Sequence, residues 1–141
     1  KTMQKRQVKM LSAVLVLVVL AILAMPAAAM AEDEIALQLN YIVGSEATMN
    51  ISGTTATVDA WVKGDVNYAT KAKMIAELQV KNGNDWIPVA IWTDTKDGFK
   101  GHVFETKSVV KGHTYRVKAT GTIWEGRQSE TVTFYTEEDV A

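Results

Sequence analysis

Gly112-His113-Thr114-Tyr115-Arg116-Val117-Lys118-Ala119-Thr120-Gly121-Thr122-Ile123-Trp124 opens on a glycine suited to a turn and then alternates strictly. Tyr115, Val117, Ala119, Gly121 and Ile123 fall on one side; Arg116, Lys118, Thr120 and Thr122 fall on the other. A two-residue repeat is the signature of a strand, here with one face in a core and one in water.

The flanking runs read the same way. Ile35, Leu37, Leu39, Tyr41 and Val43 alternate up to Gly44-Ser45, and Ala47, Met49 and Ile51 resume the pattern to Ser52-Gly53, as one bent strand or two short ones. Ala56, Val58, Ala60 and Val62 point inward, Trp61 and Lys63 outward, and Gly64-Asp65 closes the run. Ala72 to Val80 follows, with Lys73, Ile75, Glu77, Gln79 and Lys81 on its wet side. Asn82-Gly83-Asn84-Asp85 is a hairpin signal. The return strand, Trp86 to Thr93, contains Pro88, which cannot donate to a ladder and so belongs at a sheet edge. Trp86 and Trp92 then share one side of that strand. Asp94-Thr95-Lys96-Asp97-Gly98 reads as a turn. In Phe99 to Val110 the phase is broken, which suggests a bulge near Gly101. Glu125-Gly126-Arg127 turns the chain into Gln128–Thr136, with Val132 and Phe134 inward, and Glu137-Glu138-Asp139 frays. The fold class is all-β, about seven antiparallel strands in one sandwich.

Residues 1–31 precede this domain, which takes 32–141. The leader carries Lys1, Lys5, Arg6 and Lys9, then an uncharged run ending at Pro26, then Ala29-Met30-Ala31. That order is a signal peptide, with Ala29 and Ala31 at the positions the peptidase reads. The alternative is an uncleaved membrane anchor, since Met10 to Ala31 is twenty-two residues without charge. Both readings put the domain outside the cytoplasm, secreted or at the cell surface. The domain carries eleven Lys and Arg against all sixteen acids, a formal charge of −5, which argues against a nucleic-acid partner. There is no cysteine, so packing alone must hold the fold, and thiol chemistry is absent.

Gly112 to Ala119 resembles the entry to the sixth strand of fibronectin type III and related immunoglobulin-like domains, where a glycine turn leads into a tyrosine. The resemblance implies an immunoglobulin-like sandwich in which Tyr115 packs its ring in the core and returns its hydroxyl to nearby backbone. Those domains usually keep a tryptophan inward on the second strand; Trp61 lies on the polar side instead. The leader, the single short sandwich and Tyr115-Arg116-Val117 near the end also resemble small exported proteins of Gram-positive gut bacteria, which implies a location and no activity.

Chemistry has little to work with. His102 and His113 are the only histidines, and no serine sits in a nucleophile elbow, so catalysis is not expected and a small secreted hydrolase is the residual reading. Asp94 and Asp97 flank Lys96, which would repel a cation, so neither a metal nor a cofactor is expected. The informative feature is aromatic. Trp61 and Trp124 fall on solvent faces, Trp86 and Trp92 on an edge strand, and an immunoglobulin-like order would gather Ile75, Trp124, Lys118, Arg116 and Tyr135 on one outer face. Such rings stack on sugars or anchor protein interfaces; they also pack under lysine stems. The reading is a non-catalytic binding or adhesion module for an extracellular protein or glycan. The alternative is a self-assembling subunit in which residues 32–44 add a strand to another copy.

Overall fold

A computed structural model describes residues 39–141; the leader, its cleavage residues Ala29 and Ala31, and the acidic start at 32–38 lie outside the described residues. Eight strands follow one another with no helix between them: β1 (Ile42–Ser52), β2 (Thr55–Gly64), β3 (Lys71–Asn82), β4 (Asp85–Asp97), β5 (Lys100–Ser108), β6 (Thr114–Glu125), β7 (Gln128–Tyr135) and β8 (Asp139–Val140). They form two antiparallel sheets. One has the order β1-β2-β5; the other runs β4-β3-β6-β7, with β8 also pairing β6.

The alternation along β2, β3 and β6 supplies the core. Val58 and Val62 from one sheet meet Met74, Leu78, Val117 and Ile123 from the other, all fully buried, and Ala56, Ala60, Ala72, Ala76 and Ala119 fill the positions between them. Small residues let the sheets approach closely. At Gly121 a Cβ would stand 2.6 Å from Val62, so any side chain there would force the two central strands apart. Gly112 serves the other end of β6: its φ of 87° turns the chain in a region that side chains rarely adopt. Three residues on, Tyr115 is 3% exposed and its hydroxyl accepts the N–H of Val110 at 2.8 Å. Val110 lies in the connection that leaves the three-stranded sheet, so this bond ties the crossover to the strand it feeds.

Several expectations need correcting. Gly44-Ser45 does not interrupt β1; the strand passes through it, with a register shift between Ile42 and Gly44. Ile42 and Gly44 therefore already pair within their own sheet, with Val43 between them as the extra residue. Asp94–Asp97 is strand, and the chain bends only at Gly98-Phe99. β5 has no bulge at Gly101, since its register with β2 is unbroken from Lys100 to Ser108. Phe104 breaks the apparent phase because it sits on the outer face, 61% exposed. The acidic tail does not fray: Asp139 pairs Tyr115 and Val140 pairs Thr114, extending the edge begun by β7.

A carboxylate joins the two sheets along each flank. On one, Glu130 of β7 accepts the N–H groups of Asn40, Tyr41 and Ile42 at 2.9, 2.6 and 2.9 Å, beside a hydrogen bond from the Tyr41 hydroxyl to Gln128. On the other, Asp94 of β4 accepts the N–H of His102 in β5 at 2.9 Å and pairs with Lys96 at 3.0 Å. Each acid satisfies backbone donors at a sheet margin, where an open strand invites pairing with another chain.

Candidate recognition face

The outer surface of the β4-β3-β6-β7 sheet is read row by row from the registers. At one end Asp97, Lys71, Trp124 and Ser129 lie side by side. The middle rows are Thr95, Lys73, Thr122, Thr131 and then Thr93, Ile75, Thr120, Thr133. The next row holds Ile91, Glu77, Lys118 and Tyr135, followed by Pro88, Gln79 and Arg116, and last by Trp86 opposite Lys81. The sheet thus brings Ile75, Trp124, Lys118, Arg116, Tyr135 and Trp86 to one face. Trp124 and Arg116 are eight residues apart on β6, about 26 Å at the usual rise, so this face has two separate aromatic ends.

Trp86 is on this face because of an irregularity the sequence conceals. Leu78 pairs Ala90 but Gln79 pairs Pro88, leaving Val89 as the extra residue of a bulge. The bulge reverses the phase of the edge strand, so Trp86 and Trp92 do not share a side. Trp92 turns inward and packs against the core, while Trp86 turns out. Pro88 stands beside the bulge on β4, the last strand of the sheet, where a residue that cannot donate to a ladder is tolerated.

Around Arg116 the side chains assemble into one stack. Its guanidinium carbon lies 4.2 Å from the centre of the Trp86 ring and 4.5 Å from that of Tyr135. Its Nε donates to Gln79 Oε1 at 2.8 Å, and Gln79 Nε2 donates in turn to Glu77 Oε1 at 2.7 Å. Lys81 Nζ lies 5.7 Å from the centre of Trp86 and 3.7 Å from Glu138. Gln79 is the buried polar residue of the described core margin, 6% exposed, and both ends of its amide are satisfied. Cation–π contacts at exposed sites are worth about 0.5–1 kcal/mol each. Tyr135 remains 50% exposed and Ile91 59% exposed.

The other outward tryptophans also lie beneath cations. Trp124 lies under Lys71, whose Nζ is 4.8 Å from the ring centre. Trp61 is on the opposite sheet, half-buried, 5.7 Å from Lys100 Nζ and pressed so close to Gly44 that a Cβ there would lie 3.1 Å from the ring. Beside it His102 Nε2 and Asp59 Oδ1 are paired at 2.7 Å. Among the described residues no three His, Asp or Glu side chains lie close enough together to hold a metal ion.

Two carboxyl groups are held below their ordinary range, both at the sheet margins and away from this face. For Asp94 the His102 N–H is the main cause, partial burial opposing it and Lys96 adding to it. For Glu130 partial burial pulls upward and is outweighed by the N–H groups of Tyr41, Ile42 and Asn40 together. Sequence reasoning missed Gln79, Glu77 and Ile91 as members of the stack. The outward phase of Glu77 and Gln79 was visible, but which residues of β4 and β6 they would face depends on register, and the bulge at Val89 hid the phase of Ile91. Comparison with known proteins yields no match to a protein-family model and none to a curated sequence.

Proposed function

We propose that this chain is an exported, non-catalytic recognition module of immunoglobulin-like, fibronectin type III-like form that binds an extracellular protein through the Arg116 end of the β4-β3-β6-β7 face. The form is supported by strand order. β1, β2 and β5 share one sheet and β3, β6 and β7 the other, as strands A, B, E and C, F, G do in immunoglobulin-like domains, and Tyr115 bonds backbone five residues upstream. Export is supported by the basic, apolar and small-residue order of residues 1–31.

The observation that carries the recognition reading is the Trp86-Arg116-Tyr135 stack, which gathers side chains from three strands at a half-open surface beside Ile91. Trp, Tyr and Arg are the residues most enriched at the energetic centres of protein interfaces. A protein is favoured over a neutral glycan because cations already lie over Trp61, Trp86 and Trp124, where a sugar ring would have to stack. The test is an array of extracellular proteins and glycans probed with the full chain and with a Tyr135→Ala, Ile91→Ser double variant. Protein ligands should lose at least about tenfold in affinity with an unchanged unfolding midpoint. Retention of glycans alone would replace the protein partner, and an empty array would end the proposal.

A further inference from the structure

Arg116 is fixed on three sides and open on the fourth. Trp86 and Tyr135 hold the guanidinium, and Gln79 takes Nε. Glu77, by accepting from Gln79 Nε2, orients the amide so that its oxygen faces the arginine. Among the described residues the two Nη groups have no acceptor, and Arg116 belongs to no ion pair. No half-buried residue there has a buried side-chain nitrogen without a partner, so the Nη groups open to solvent. Lys118, the next outward residue of β6, has no ion pair among the described residues either.

A guanidinium held in this way presents parallel N–H donors in a rigid fork, the geometry that matches both oxygens of a carboxylate, and its ordering is already complete before a ligand arrives. Resting on the reading of this face as a recognition surface, we propose that Arg116 anchors an aspartate or glutamate side chain of the protein partner, bound bidentately to its Nη edge. Ile91 and Pro88, in the neighbouring rows of β4, then receive an apolar residue next to that acid. Salt screens the domain's formal charge of −5 beyond about 8 Å, so it does not keep a single acid from reaching Arg116. One acid in contact with Arg116 fits this balance, and a run of acids does not. The competing role for the stack is stiffening of the sheet alone, in which Arg116 would contact no ligand.

A displayed library of random peptides sorted against the full chain separates the two. The enriched peptides should share an Asp or Glu next to an aliphatic or aromatic residue. Changing that acid to its amide should weaken binding to the wild type at least about tenfold and binding to Arg116→Gln less than twofold. Arg116→Lys, which keeps the charge and loses the fork, should behave like Arg116→Gln. Half of this cycle is made on the peptide, so it reads the contact even where the arginine variants melt earlier. Equal effects of the acid-to-amide change on wild type and Arg116→Gln overturn the inference. Acid-free binders that are lost with Tyr135→Ala also overturn it while leaving the recognition face in place. A library that yields no binder overturns both.

Discussion

On the outer side of the three-stranded sheet, Trp61 lies against Gly44 and beneath Lys100, and His102 and Asp59 engage each other at 2.7 Å. On the outer side of the other sheet, Trp86 and Tyr135 enclose an arginine whose terminal donors have no acceptor among the described residues. Both faces use aromatic rings with cations above them. They differ in what is left over: on the first Asp59 is taken up by His102 and Lys63 and Lys100 lie over rings, and on the second the arginine's Nη groups have no acceptor among the described residues. Pairing at a surface adds little stability, whereas a charge ordered in advance and left open is suited to binding. We read the first face as closed on itself and propose the second as the one that takes a partner.

The contrast requires two faces held rigidly apart, and the strongest way to break it is to remove what fixes them. Tyr115→Ala should cost about 3–5 kcal/mol, through lost ring packing and the orphaned Val110 N–H. Against the roughly 5–15 kcal/mol of a typical domain this removes a large share of the stability that holds both faces, as a urea titration will show. Tyr115→Phe, which deletes only the hydroxyl, should cost about 1–2 kcal/mol.

Next in size is Glu130→Gln, at about 1–3 kcal/mol, because three backbone donors then face an uncharged amide. The effect should depend on pH in a definite direction. Glu130 and Asp94 have lowered folded values, so the unfolded chain takes up protons first as acid is added. Their contribution is complete above about pH 5 and is lost as pH falls through the folded values. The wild type should lose stability on that limb, and Glu130→Gln should lose less over the same interval. A steeper acid limb in the variant would contradict the assignment.

The smallest effect sharpens the contrast. Trp61→Ala should lower stability by about 1–2 kcal/mol, since the ring is only half-buried, and should leave binding at the Arg116 face within about twofold. Equal losses of affinity from Trp61→Ala and Tyr135→Ala would show that the faces act together.

The core was legible in the sequence because period 2 runs without error through β2, β3 and β6, the strands that carry most of the buried side chains. Trp61 and Trp124 could be set on outer faces for the same reason. The margins were harder to read because their local chemistry points the wrong way. Asp94 and Asp97 look like turn residues, yet Asp94 serves as an acceptor for the other sheet, a partner distant in pairing if not in sequence. Glu137 to Asp139 look solvated, yet Asp139 itself and Val140 pair with β6. Gln79 shows an outward phase but no sign of its burial, and its partners Arg116 and Glu77 are set by register and side-chain geometry.

Val89 has a consequence for how such a surface can change through descent. The bulge lies on a strand with a single neighbour, so its extra residue disturbs one ladder and leaves the β3-β6 pairing untouched. Losing that one codon would leave Pro88 opposite Gln79 and Ala90 opposite Leu78 as consecutive regular pairs, with Trp86 still outward and Trp92 still inward. The edge can thus absorb a change in length of one residue while the chemistry displayed on either side of it stays in place.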